Sequence, residues 1–221
     1  MRNEEHIKSF VKRSGRITNV QRYFLKNKKN NHNFFTPTET INLYKLFDNK
    51  NPCVLDIGFG DGKLLSNIAK INTNINFIGL EVYESGIGNI LKQIEKSNLS
   101  NLKVSNIDAV SFLKKYVQNN SFYGISLFFP DPWPKKRHYK RRIINANFLE
   151  NMLMKIKKNG FVKIVTDWEN YGERIIELLD ENKKFEKIQD ISIYKERILT
   201  KFEKRGISQG NRIIDLTYKV K

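Results

Sequence analysis

Cys53-Val54-Leu55-Asp56-Ile57-Gly58-Phe59-Gly60-Asp61-Gly62-Lys63-Leu64-Leu65-Ser66-Asn67-Ile68-Ala69 reads as a short apolar strand, a glycine turn and an amphipathic helix. The same alternation recurs downstream. Phe77 to Val82 is a second predicted strand, followed by a helix over Glu84 to Glu95. Leu102 to Asp108 is a third, with a short helix through Phe112 and Leu113. Tyr123 to Phe129 is a fourth, with a helix over Ile143 to Lys157, and Gly160 to Asp167 a fifth, with a helix over Trp168 to Asn182. Strands alternating with helices predict an α/β domain, a mostly parallel sheet covered on both faces. Two further strands, roughly 185–194 and Arg212 to Val220, lie too close in the chain for a full helical crossover. They predict an antiparallel addition that brings the sheet to seven strands.

Outside this pattern, residues 1–33 are polar and basic, and their apolar residues form no long helical stripe. They read as an arm for a polyanionic partner or as a solvated tail, ahead of a single domain over 34–221. Thr36-Pro37-Thr38-Glu39-Thr40 looks like the start of a helix through Leu43 and Phe47. The 221-residue chain carries 40 Lys and Arg against 23 Asp and Glu, a net charge of +17. So large an excess repels itself in a folded chain and suits a polyanion, nucleic acid before an anionic membrane. The lone Cys53 excludes an intrachain disulfide framework or a cysteine-based zinc site. No metal is expected. No apolar run approaches membrane-spanning length, and the start lacks the apolar core of a signal peptide, so the expected compartment is the cytoplasm.

Chemistry concentrates at the strand ends. Asp56, Glu81, Asp108, Asp131 and Asp167 all lie at or near one, where ligands of open α/β sheets bind. Each alone could be a helix cap; five on one rim predict a cationic or hydroxyl-rich ligand. The turn at Gly58 and Gly60 allows close backbone approach to a nucleotide-like molecule. Glu81 suits a ribose diol, as in NAD or S-adenosylmethionine, and Asp108 an adenine amino group. Asp56, just before the turn, would repel a pyrophosphate and favours the sulfonium ligand. The fourth strand then runs into Phe128-Phe129-Pro130-Asp131-Pro132-Trp133-Pro134-Lys135-Lys136-Arg137-His138-Tyr139-Lys140-Arg141-Arg142. Its prolines end the strand and stiffen the loop after it, setting an acid and an aromatic plane beside dense positive charge. Such a loop can hold a nucleobase next to phosphate.

These residues resemble the bacterial tRNA (guanine-N7)-methyltransferases. The likeness covers nearly the whole chain, through Ser9 to Thr18, Asp56 to Gly60, Gly79 to Val82, Phe129 to His138, Thr166 to Glu169 and Thr200 to Gly206. The resemblance implies a Rossmann-like class I methyltransferase fold and methyl transfer from S-adenosylmethionine to N7 of a guanine in the tRNA variable loop. It implies a cofactor site of Asp56, Gly58, Gly60, Glu81, Asp108 and Asp131, with Asp131 also catalytic. Substrate contacts would come from Lys135, Asp167, Thr200, Lys201, Phe202 and Glu203. Two positions depart from the family pattern: Asp56 stands where glutamate is common, and Pro134 where histidine is common, which counts against a required imidazole there. N7 carries a lone pair and no proton, so Asp131 is expected to orient the base and stabilise charge rather than to act as a base. Trp133 or Phe202 is a candidate stacking platform, and His138 a phosphate contact or a helix cap. Lys135, Lys136, Arg137, Lys140, Arg141 and Arg142 are expected on phosphates. A monomer or a homodimer fits equally. The competing readings are an NAD-dependent dehydrogenase, a non-catalytic RNA-binding module on this fold, and a methyltransferase for another RNA or protein nitrogen.

Overall fold

The computed structural model describes residues 7–11 and 17–221. Seven strands, β1 (Cys53–Ile57), β2 (Asn76–Leu80), β3 (Leu102–Ser105), β4 (Phe122–Phe128), β5 (Ile156–Thr166), β6 (Phe185–Ile188) and β7 (Ile214–Val220), form one sheet in the order β3-β2-β1-β4-β5-β7-β6. β1 to β5 are mutually parallel, and β7 runs antiparallel to both β5 and β6. The predicted doubly wound sheet and its antiparallel final strand are thus observed. Strand order reverses between β1 and β4, so their carboxyl ends flank the crevice that the topology reserves for a ligand.

Helices α3 (Lys63–Ile71) and α4 (Glu84–Ser97) cover one face, and α5 (Ala109–Tyr116), α6 (Ala146–Lys155) and α7 (Glu169–Asp180) the other. Alternate residues of the central strands feed the two cores. Val54, Phe77 and Val104 join Leu65, Ile68 and Ile90 in one; Leu55, Ile78 and Ile125 join Phe112, Met152 and Ile175 in the other. All five residues of β1 are buried, as befits a strand with helices on both sides.

Four local differences separate the structure from the sequence-based expectation. The basic arm contains a helix, α1 (Asn19–Asn27), opened by a reciprocal capping box between Thr18 and Gln21. Gln21 packs so close to Gly88 of α4 that a Cβ there would lie 2.9 Å from its carbonyl oxygen. A helix α2 (Leu43–Phe47) is capped by Asn42, not by the Thr36–Thr40 segment. The stretch between β6 and β7 is no simple strand connection: β6 ends at Ile188, and α8 (Lys201–Ser208) intervenes. The α6–β5 boundary also shifts, the helix ending at Lys155 and the strand beginning at Ile156.

Candidate active site

After β1 the chain turns through Gly58, Gly60 and Gly62, at φ of 77°, 62° and 74°, a region L side chains rarely adopt. The turn is tied to the end of β2: the Gly60 amide donates to Glu81 Oε2 at 2.8 Å, and the Tyr83 amide to Oε1 at 3.0 Å. Glu81 is 5% exposed. Burial pushes its carboxyl above the ordinary glutamate range; the backbone amides pull it back, and Asp131 across the cavity raises it further. The first turn of α4 closes on this arrangement at Gly86, where a Cβ would collide with the Gly60 carbonyl and come within 2.8 Å of Glu81 Cγ. Gly86→Ala is therefore expected to weaken any ligand held by Glu81 at least about tenfold, through displaced backbone rather than lost contacts, as titration calorimetry would register.

The resulting cavity has a volume of about 420 Å³, and Glu81, Asp108 and Asp131 all line it together with Gly58 and Gly60. Asp108 is also the N-cap of α5, accepting from the Ser111 amide at 2.9 Å, so its capping and cavity positions coincide. Asp131 sits on a strained loop. Phe129 and Trp133 on either side of it have φ of 53° and 45°, unusual for aromatic residues. The loop is held by Phe129 N–H donating to the Val165 carbonyl at 2.7 Å and by Arg142 Nε donating to the Pro132 carbonyl at 2.8 Å.

Of the five strand-end carboxylates, three converge on this cavity. Asp56 does not line it. Its register partner across β4 is Ser126, whose hydroxyl donates to Asp56 Oδ1 at 2.6 Å, and it borders a smaller neighbouring cavity of about 150 Å³. Burial raises its pKa to about 7 despite the Ser126 bond, and Glu81 adds to the rise. Asp167 lies outside both cavities, against α8: a Cβ on Gly206 would come within 2.9 Å of its carboxylate, and Asn211 donates to it at 3.2 Å. Lys135 is exposed and borders neither cavity.

Within Thr200–Glu203 the side chains divide. Lys201 and Phe202 line both cavities, and Thr200 lines the smaller one. Glu203 turns inward, its carboxylate gripped by Arg197 at 2.7 and 2.8 Å. Phe202 stacks on Phe129, ring centroids 6.3 Å apart and planes at 25°, and stays 46% exposed. Trp133 is less available as a platform: its Nε1–H donates to the Ser9 carbonyl, the Arg141 guanidinium lies 4.9 Å from its ring centre, and His138 meets it edge-on. Arg142 is not the phosphate contact its position in the basic run suggested. It is 6% exposed, sandwiched between Tyr139 at 3.8 Å and Tyr171 at 4.7 Å. Lys136, Arg137 and Lys140 are exposed, and Arg141 half-buried, on a 3₁₀ turn, Lys136–Arg141.

The cavity also has walls that were not among the expected site residues: Ser9, Phe10 and Gln21 from the N-terminal segment, and Phe129 from the loop, of which only Gln21 lies outside the stretches that carry the resemblance. Tyr83 O–H donates to the Val11 carbonyl at 2.9 Å, which with Trp133 straps residues 9–11 across the opening. Residues 12–16, with the basic side chains expected on RNA there, lie outside the described residues. Among the described residues, no group of three His, Cys, Asp or Glu side chains could hold a metal ion.

Residues 50–216 match a family model described as "Putative methyltransferase". The chain is 38% identical over 217 residues to the tRNA (guanine-N(7)-)-methyltransferase of Buchnera aphidicola subsp. Baizongia pistaciae, covering 96% of this chain and 90% of that one. It is 36% identical over 221 residues to the enzyme of that name from Haemophilus influenzae strain 86-028NP, covering 98% and 90%. Among solved structures, the 16S rRNA methyltransferase KamB superposes with a TM-score of 0.57 at 15% identity, over 83% of this chain and 95% of that one. That likeness establishes the Rossmann-like class I methyltransferase fold.

Proposed function

Since this chain belongs to the tRNA (guanine-N7)-methyltransferase family, we propose that it moves the methyl group of S-adenosylmethionine to N7 of a guanine in the variable loop of tRNA. The observation that carries this reading is the convergence of Glu81, Asp108 and Asp131 on one cavity at the β1/β4 reversal, beside an exposed basic turn.

The residues fit the cofactor. A cavity of about 420 Å³ lies within the range of roughly 300–1,000 Å³ usual for small-molecule sites. An added Cβ on Gly58 would meet nothing within 4 Å, so the turn leaves open space against the cavity wall. Carboxylates suit a ligand with ribose hydroxyls and positive charge, and a pyrophosphate would be repelled. When bound, S-adenosylmethionine supplies an activated methyl group on a sulfonium. Glu81 is the group for the ribose hydroxyls, fixed for that task by the Gly60 and Tyr83 amides. Asp108 faces the adenine end from the start of α5. Asp56, in the smaller cavity bordered by the same glycine turn, would be drawn into its ionised form by a cationic ligand next door.

Guanine N7 needs no base to become a nucleophile, so the protein's work is alignment and charge management. Asp131 is the catalytic residue of this proposal: it orients the base through its N–H edge and offsets the positive charge the purine acquires. The target guanine must leave its stack, and Phe202, half-exposed and backed by Phe129, is the platform that meets it. Lys201 is beside it, Lys135 and Asp167 contact RNA around the mouth, and Thr200 and Glu203 shape the segment from within. Lys136, Arg137, Lys140 and Arg141, with the basic arm over residues 1–33 ahead of the single methyltransferase domain, take phosphates. Among the described residues no helix is long and apolar enough to cross a membrane, and the cytoplasm is the proposed place of action.

Incubation with unmodified tRNA and labelled S-adenosylmethionine, then chemical cleavage at N7-methylguanine, tests the whole reading. A single cleavage in the variable loop is expected; label at another nucleotide or in protein would overturn it. Affinity for tRNA should fall steeply with salt. Neutralising Lys136, Arg137 and Lys140 together should lower the slope of log K against log[salt] by about two to three units, measured by filter binding.

A further inference from the structure

α8 is an eight-residue helix whose only buried residues are Glu203 and Gly206. Phe202 and Ile207 are exposed, so no apolar stripe fixes its place. Yet its first turn is the wall between the two cavities, since Lys201 and Phe202 border both. Something other than apolar burial sets that wall.

We propose that Arg197 is the positioning residue that sets it, acting through Glu203. Its guanidinium binds both Glu203 oxygens, and Nη2 also reaches Asp215 Oδ2 on β7 at 3.2 Å. Glu203 Oε2 in turn accepts the Thr200 amide at 3.3 Å, while Thr200 Oγ1 accepts the Glu203 amide at 3.0 Å. The carboxylate that Arg197 grips is therefore the same one that starts the helix. On its far side Asp215 is anchored by Lys163, a 2%-exposed cation of β5 that also binds Asp190 at 2.9 Å and Thr217 at 3.0 Å. Charge alternates along this chain of contacts from the sheet to the helix start. A two-point guanidinium–carboxylate grip fixes angle as well as distance, which a single apolar contact cannot do.

Arg197 also ties α8 to the strand that carries the reacting groups. Its guanidinium lies 5.3 Å from the ring centre of Phe128, the last residue of β4, three before Asp131. One residue on, Phe129 stacks on Phe202. The wall and the Asp131 loop are thereby held in one register. This inference rests on the proposed methyl-transfer reading of the site.

The test uses the full chain with Arg197→Met, Arg197→Lys, Glu203→Gln and the Arg197→Met/Glu203→Gln double variant. Hydrogen exchange is measured at α8 and α4, cofactor affinity by calorimetry, and single-turnover methylation on unmodified tRNA. In Arg197→Met, exchange at α8 is expected to rise about tenfold with α4 unchanged. The methylation rate should fall on the order of 30-fold while cofactor affinity stays within about threefold. Arg197→Lys should recover part of the rate, and the double variant should be no slower than the worse single one within about twofold. Unchanged α8 exchange, or additive losses in the double variant, would overturn the proposal. If Arg197→Met does not fold, Arg197→Lys decides by the same exchange and rate criteria. A wild-type chain that methylates no tRNA overturns the activity and not the holding role, which the α8 exchange rates still decide.

Discussion

Asp131→Asn is expected to lower the single-turnover rate of methyl transfer by about 10²–10³-fold while cofactor affinity falls less than about tenfold. The substitution keeps the shape of the side chain and removes its charge. In the proposed reaction positive charge accumulates on the purine as the N7–methyl bond forms, so a carboxylate beside the base interacts more strongly with the transition state than with the neutral ground state. Asp131 is placed for this: it borders the cavity with Glu81 and Asp108, on a loop whose backbone is tied to Val165 and Arg142 and bends through Phe129 and Trp133 at positive φ. The decisive measurement is a rapid-quench single turnover with enzyme in excess, which separates the chemical step from tRNA release. A variant with a near-normal rate would leave Asp131 with a loop-shaping role only.

Asp56→Asn should make the protein more stable at pH 8, and by a large margin. Asp56 titrates near 3.9 in an unfolded chain and at about 7 when folded. Between those values the native state holds a proton the unfolded state has released, so unfolding free energy decreases as pH rises from about 4 to 7, and the full penalty is present above 7. Three units correspond to on the order of 4 kcal/mol. Urea titrations at pH 5 and pH 8 should show the wild type losing about 2–4 kcal/mol across that interval through this group, and Asp56→Asn losing correspondingly less. A wild type whose midpoint does not move would mean that Asp56 is ionised at both pH values. In the proposed methyl-transfer site a cationic ligand beside the glycine turn would favour the ionised form of Asp56, so its binding should release protons near neutral pH.

The sheet was legible because alternating apolar runs and a glycine turn are local signals, and each strand end carried its acid in plain view. Which acids meet was not. Asp56 and Glu81 look equivalent as residues closing consecutive strands, yet Asp56 is still inside β1, facing Ser126 of the neighbouring strand, whereas Glu81 lies just past β2 and folds back onto Gly60. Asp56 pairs with Gly79, so two positions of register separate it from Glu81. Arg142 was hidden similarly: nothing in a run of lysines and arginines marks the one that Tyr139 and Tyr171 enclose. The two helices that composition missed had readable starts. Thr18-Asn19-Val20-Gln21 and Thr200-Lys201-Phe202-Glu203 are both capping boxes, and both helices are polar overall: the buried residue of α1 is Gln21, with Phe24 and Leu25 only partly buried against the core, and those of α8 are Glu203 and Gly206.

The placement of β7 between β5 and β6 has a consequence for synthesis. A growing chain emerges from the ribosome in sequence order, so β6 appears with no neighbour to pair with, and α8 emerges next, before Asp215 exists to hold Arg197. The half of the domain proposed to face the cofactor, around β1, β2 and β4, can assemble early. The wall that completes the mouth waits for the strand made afterwards, so a nascent chain should gain grip on the methyl donor before it gains a finished place for the nucleobase.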